Sequence, residues 1–144
     1  MVETQGLKNH TRIVPMYHMG VSLPFLINFV WSIYRLTRGF TGDAIVGALL
    51  AIGLLLMFLS VRTQILTVQD RVIRLEMRLR LREKLPADLC AQAVNLPVKQ
   101  LIALRFAGDA ELAGLVRDVL SGSLSSQKDI KSKVKDWQPD YLRA

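Results

Sequence analysis

The side chains best suited to hold a redox cofactor are the two histidines, His10 and His18. Imidazole nitrogens ligate haem iron and transition metals. One short segment offers both to a single haem only awkwardly, so ligation across two protomers is the easier geometry. No cysteine or carboxylate completes a ligand set around them, which favours polar residues at a membrane surface. The sequence therefore predicts no cofactor and keeps a His-ligated membrane redox protein as a second alternative.

Catalytic patterns are missing from the sequence. It contains no Ser-His-Asp arrangement, zinc-binding HExxH, glycine-rich phosphate loop or paired carboxylates. The single cysteine, Cys90, excludes an intramolecular disulfide and a multi-cysteine metal site. We therefore expect a protein that is not an enzyme and holds no metal.

Apolar and charged residues are separated along the chain. Hydrophobic residues make up 51% of the 144 residues, and 19 Lys and Arg face 12 Asp and Glu, for a net charge of +7. Apolar residues are denser before Arg62 than after it, and 15 of the basic residues lie from Arg62 onward. This composition excludes a disordered chain and argues against an ordinary soluble globule.

Two apolar segments predict a transmembrane hairpin. Residues 1–18 form a polar arm, 19–36 carry one charge and 44–61 carry none, so each segment can just cross a thin hydrocarbon core. The connecting residues 37–43 contain two glycines and form an external turn, and Asp43 is the expected cap of the second helix.

Small and polar side chains suggest how the two spans pack. Asn28, Ser32 and Arg35 share one face of the first span, which favours helix packing over a pore lining. The second span carries a stripe of small residues that allows close helix approach: Ala44, Gly47, Ala48 and Ala51. This stripe leaves open whether its partner is the first span, another copy or another protein.

Basic residues set the expected orientation. Six arginines follow the second span within about 20 residues, whereas only Arg35 and Arg38 lie near the turn. Both termini are therefore expected in the cytoplasm, which in a bacterium means the inner membrane.

Residues 62–85 are predicted to continue the second span as a cytoplasmic helix, because no glycine or proline occurs between Arg62 and Glu83. An alternating stretch at 75–82 is also typical of a strand, but its residues are good helix formers. A heptad seam for another copy or a partner is formed by Ile65, Val68, Val72, Leu75 and Leu79. Leu66, Ile73, Met77 and Leu81 form a second apolar stripe.

Two basic surfaces are candidates for lipid or partner contact. The first is a ridge on the helical extension, formed by Arg71, Arg74, Arg78 and Arg82. The second lies near the C-terminus and includes Lys128, Lys131 and Lys135. Solvated, ion-paired faces are the plainer interpretation of both. The residues that read base edges are not clustered here, which argues against nucleic acid as the partner.

Residues 86–144 predict a small domain of four short helices. The third opens at Asp109 as a cap and ends at Gly122. The fourth begins near Ser125 or Ser126, carries Ile130, Val134 and Trp137 on one face, and stops at Pro139. A core this small is marginal alone, so it needs the long helix or another chain.

Several stretches resemble an uncharacterised bacterial family of small two-pass membrane proteins. They are Lys8–His18, Gln69–Arg82, Lys99–Ala107, Ile130–Lys131 and Trp137–Arg143. The resemblance spans nearly the whole chain and implies no activity, cofactor or catalytic residue.

The sequence thus predicts an all-α membrane protein: a transmembrane hairpin, a long cytoplasmic helical extension and a small C-terminal helical domain. The expected function is a non-catalytic accessory subunit or scaffold of an inner-membrane assembly. Its expected partners are membrane lipids, copies of itself and other membrane subunits. The alternative is a homo-oligomeric two-span channel.

Overall fold

The computed structural model describes residues 6–7 and 14–140, and its regular elements in these ranges are helical. A π-helical segment, Met16–Val21, leads into the first α-helix. The α-helices are α1 Ser22–Arg38, α2 Gly42–Lys84, α3 Ala87–Ala93, α4 Val98–Leu104, α5 Asp109–Leu120 and α6 Gln127–Lys133. The predicted all-α class is confirmed. The chain divides into two compact units, one of residues 13–66 and one that includes residues 67–143.

Aromatic contacts join the start of the first helical segment to α2 within the N-terminal unit. The Tyr17 ring stacks on Phe58 with centroids 4.4 Å apart, and its hydroxyl donates to the Phe58 carbonyl at 3.3 Å. Phe25 meets Phe58 edge-on at 6.3 Å. Helical structure begins at Met16, three residues before the predicted span, which brings Tyr17 into these contacts.

The connection between α1 and α2 is three residues long, and a threonine caps α2. The Thr41 hydroxyl accepts a hydrogen bond from the Ala44 amide at 3.3 Å. Asp43 lies inside the first turn, so the prediction that it caps the helix is wrong. The helix starts at Gly42, one residue before Asp43. The Asp43 carboxylate can therefore interact favourably with the positive end of the helix dipole, but it does not cap the helix.

Two helical segments are long and apolar enough to cross a membrane by length and composition: Met16–Arg38 and Gly42–Lys84. Helix α2 runs through residues 75–82, so the helical interpretation of that stretch is confirmed.

In the C-terminal unit, α2 contributes its second apolar stripe to the core. Ile73, Met77 and Leu81 are buried, because they repeat every four residues and so lie on one helix face. They pack with a cluster that includes Leu101, Leu112 and other side chains of the short helices. Helix α5 presents Leu112, Leu115, Val116 and Val119 to this core. The small domain therefore completes its core on the long helix.

The ends of the short helices differ from the prediction at two places. Gly108, with an extended backbone, precedes α5, so Asp109 is the first helical residue and not the cap. Helix α6 ends at Lys133, and Val134 is already extended, so the prediction that Trp137 shares its face is wrong. The Gln138 amide donates to the Phe106 carbonyl at 2.8 Å, which draws this segment away from a helical path. The predicted start at Ser126 is correct, because Ser126 and Asp129 form a capping box.

Truncating the Leu81 side chain should destabilise the C-terminal unit far more than truncating that of Leu79. Leu81 is fully buried and Leu79 is 57% exposed, although both lie on α2 two residues apart. We expect Leu81→Ala to lower the free energy of unfolding by about 2–5 kcal/mol, and Leu79→Ala by less than about 1 kcal/mol. Urea unfolding in detergent, followed by Trp137 fluorescence in a Trp31→Phe background, measures both. Equal losses would contradict the assignment of the buried stripe.

Candidate functional site

Arg80 on α2 makes several hydrogen bonds within the C-terminal unit. Its Nε and Nη2 donate to Asp109 Oδ1 at 3.0 and 2.6 Å. Its Nη1 donates to the Arg105 carbonyl at 3.1 Å, and Nη2 also donates to the Ala107 carbonyl at 2.6 Å. The guanidinium thus satisfies carbonyls left without partners beyond α4 and a carboxylate at the start of α5.

Lys84 extends this arrangement by one helical turn. Its Nζ lies 3.2 Å from Asp109 Oδ2 and 3.1 Å from Glu83 Oε1. Hydrogen bonds from Arg80 and then from Lys84 lower the pKa of the Asp109 carboxyl. Hydrogen bonds to Glu83 and then to Asp109 raise the pKa of the Lys84 ammonium. Both groups are solvated, so their attraction is screened and serves orientation more than stability. We call Arg80, Lys84 and Asp109 the arginine clamp.

A second set of contacts holds the segment that follows α6. Arg105 Nη1 lies 3.2 Å from Asp140 Oδ2, and the Arg105 side chain is only 9% exposed. Its guanidinium carbon sits 4.6 Å from the Phe106 ring centroid, and that ring stacks on Trp137 at 4.5 Å. Lys131 Nζ lies 5.3 Å from the same ring. Cation–π and stacking contacts therefore fasten the chain around Trp137 to the residues that follow α4.

A cavity of about 500 Å³ lies between these two sets of contacts. Its lining consists of Glu76, Met77, Arg80, Arg105, Gln138, Pro139 and Asp140. Two arginines face two carboxylates there, and both arginines already have acceptors. Because both arginines are engaged, the arrangement is suited to fixing the positions of α2, the end of α4 and the segment after α6.

The structure describes one of the two predicted cofactor candidates. His10 lies outside the described residues. His18 is exposed on the π-helical segment, and its Nδ1 lies 3.0 Å from the Val14 carbonyl oxygen. Across residues 6–7 and 14–140, no group of three or more His, Cys, Asp or Glu side chains could hold a metal ion.

Four of the predicted packing residues are buried inside the N-terminal unit. Ser32 on α1 is buried, as are the small residues Ala44, Ala48 and Ala51 on α2. Asn28 is half-buried one turn before Ser32. Gly47 lies at the margin, where a Cβ would meet no atom within 4 Å. In this unit the alanines, rather than Gly47, form the covered face.

The predicted seam and basic surfaces are exposed. The seam residues Ile65, Val68, Val72, Leu75 and Leu79 are between 42% and 61% exposed. Arg71, Arg74, Arg78 and Arg82 are exposed, as are Lys128 and Lys135. Lys131 is half-buried against Phe106. The roles predicted for these surfaces stay predictions.

Sequence reasoning missed the arginine clamp, although a signal for it was present. Arg80 and Lys84 follow Met77 at three and seven residues, so they share the face of the apolar stripe. Basic residues on the face that builds a core need acceptors from the elements packed against it. The choice of Asp109 as acceptor depended on where α5 begins.

Comparison with protein families matches residues 1–144 to the family of unknown function DUF6526, so the chain belongs to that family. The predicted membership of a family without established function is thereby confirmed, and bacterial origin and two-pass topology stay predictions. No protein of curated function matches the chain, and no solved structure does.

Acidification should weaken the C-terminal unit through Asp109. Because Arg80 lowers its folded-state pKa, the stabilisation is fully present above the unfolded-state pKa of about 4 and is lost as pH falls through the folded value. Asp109→Asn should lower the Tm at neutral pH and flatten its decline between about pH 5 and pH 2. Thermal unfolding in detergent measures this.

Asp118→Asn is the matched control for that series. Asp118 lies on the same helix and forms no ion pair within residues 6–7 and 14–140. It should keep the wild-type pH profile. An Asp109→Asn profile as steep as that of the wild type would contradict the role given to the clamp.

Proposed function

We propose that this member of the DUF6526 family is a non-catalytic, membrane-anchored structural subunit. The observation that carries the proposal is the character of the exposed side chains in the N-terminal unit. Leu26, Val30, Val46 and Leu49 are all more than half exposed, as is Leu56 two turns after Leu49. Water tolerates contiguous apolar surface of this kind poorly, whereas lipid chains cover it without cost.

Aromatic and basic residues support a transmembrane position of the hairpin. Near the turn, the ring centroids of Trp31 and Tyr34 lie 5.6 Å apart, and Arg35 and Arg38 follow in the last turn of α1. At the opposite end, the Arg62 guanidinium carbon lies 5.5 Å from the Tyr17 ring centroid. Amphipathic rings and snorkelling arginines at both ends of an apolar band are typical of lipid headgroup regions.

The positive residues after Arg62 support an orientation with both termini in the cytoplasm. Arginines of the helical extension exceed those near the turn, and such an excess is retained on the cytoplasmic side. We propose the bacterial inner membrane as the location, with lipids and other membrane subunits as partners.

The polar groups in both units favour a structural role over a conductive one. Ser32 is buried inside the hairpin unit, which supports a packing role for this polar side chain over a place in a water-filled channel. The arginines around the cavity in the C-terminal unit are engaged by carboxylates and carbonyls. A rigid helical domain on a membrane anchor is suited to holding other proteins in place.

Surface labelling tests the anchor and its orientation. In a Cys90→Ser background, Phe40→Cys places a thiol in the turn, where Phe40 is 85% exposed, and Lys135→Cys places one in the C-terminal unit. A membrane-impermeant maleimide should label Phe40→Cys on intact spheroplasts and Lys135→Cys only after permeabilisation. The reverse pattern would contradict the orientation, and release of the chain by alkaline carbonate would contradict the anchor.

Native mass measurement tests the role of subunit. The tagged chain, purified from its own host in mild detergent, should migrate with foreign subunits in fixed stoichiometry. Their identity would name the assembly. A homogeneous multiple of 16.2 kDa larger than a dimer, without other proteins, would instead support the two-span channel and call for liposome flux assays.

A further inference from the structure

Helix α2 carries two apolar stripes in the C-terminal unit, and the domain covers only one of them. Ile73, Met77 and Leu81 are buried. The other stripe is 48–61% exposed and consists of Val68, Val72, Leu75 and Leu79. At 100° per residue the two stripes are centred roughly 170° apart, so the domain and the uncovered stripe occupy opposite faces.

The uncovered stripe has the spacing of a coiled coil. Its residues repeat at intervals of four, three and four, which places Val72 and Leu79 at a positions and Val68 and Leu75 at d positions. The next d position is Arg82, where a facing pair of arginines would repel, so the seam ends before it. The usable stretch is short, about two heptads, and needs further support to associate.

Charges beside the stripe specify its partner. The g positions next to the a residues are Arg71 and Arg78. The e positions five residues later are Glu76, next to Leu75, and Glu83, which follows Arg82 at the end of the seam. In a parallel, in-register pair of helices, each g residue faces the e residue five positions later in the other chain. This places Arg71 opposite Glu76 and Arg78 opposite Glu83, twice each by symmetry. An antiparallel pair would instead set arginine against arginine and glutamate against glutamate.

These four side chains are available for such contacts. Arg71, Glu76 and Arg78 are exposed and form no ion pair within residues 6–7 and 14–140. The Glu83 side chain is 72% exposed and contacts only the neighbouring Lys84 among ion-pair partners in that part of the chain. None of the four belongs to the buried core. Because Glu76 lines the cavity beside Arg80 and Glu83 contacts Lys84, the Tm of each charge-exchanged variant is measured to show that its domain stays folded.

We propose that the uncovered stripe binds a second copy of this chain as a parallel, two-stranded coiled coil, with Arg71–Glu76 and Arg78–Glu83 pairs between the copies. One surface that carries both complementary charges fits the self-complementary interface of a two-fold dimer. The inference rests on the proposed membrane anchor. Anchoring in one membrane aligns both copies in the same direction and raises their effective concentration, which compensates for the short seam.

Charge exchange in the full chain, held in native membranes, tests the interface. The reporter is Leu75→Cys in a Cys90→Ser background, because a disulfide between copies needs Cβ atoms about 4 Å apart. The matched control is Arg74→Cys, next to Leu75 but turned away from the seam. We expect mild oxidation to cross-link Leu75→Cys about ten times more than Arg74→Cys.

Two further variants, each carrying the Leu75→Cys reporter and its own tag, examine the charges. One carries Arg71→Glu and Arg78→Glu, and the other Glu76→Arg and Glu83→Arg. Each variant alone sets like charges opposite one another and should cross-link about tenfold less than wild-type charges. Expressed together, the two should recover cross-linking between tags but not within them.

Failure of the interface and failure of the anchor are distinguished on the same vesicles. A chain released by alkaline carbonate contradicts the proposed function itself. A chain that resists extraction, yet cross-links equally at positions 74 and 75, overturns the interface alone. So does cross-linking that is indifferent to the charge exchanges, which would mean that another protein covers the stripe or that the copies meet differently.

Discussion

Helix α2 has to serve two environments with one unbroken backbone. Its first part is free of charge from Ala44 to Val61, and its later part supplies Ile73, Met77 and Leu81 to the core of the C-terminal unit. No glycine or proline interrupts the hydrogen-bond ladder after Gly53, so the helix remains continuous to Lys84. The contacts of both units depend on this continuity, because each uses a face of the same helix.

The C-terminal unit shows why the helix is needed. Helices α3, α4 and α6 have seven residues each, which is far below the length at which a helix is stable alone in water. The buried stripe of α2 gives them an apolar surface to pack on. The arginine clamp then joins that helix to the start of α5. Hydrophobic contacts are not directional, so the hydrogen bonds of the Arg80 guanidinium fix the orientation of α5 against α2.

The arginines of α2 separate into two functional classes by helical position. Arg80 lies beside the buried stripe and donates its hydrogen bonds to acceptors within the domain. Arg71 and Arg78 lie on the other side and remain exposed. Residues of one type thus contribute to the internal structure on one face of the helix and remain exposed on another, where the proposed coiled coil would use them.

The sequence by itself determined the features that depend on local pattern. Two charge-poor segments, an uninterrupted helical extension, the amphipathic spacing of α5 and the Ser126 cap all follow from composition, periodicity or a residue's own hydrogen-bonding capacity. Only the tertiary structure decided which apolar stripe of α2 is buried, that Asp109 accepts from Arg80, and that Trp137 leaves α6 to stack on Phe106. The two apolar stripes of α2 are nearly equal in hydrophobicity and spacing, so local sequence does not distinguish the buried one. The choice between them depends on the helices that follow, whose packing no short window of sequence contains.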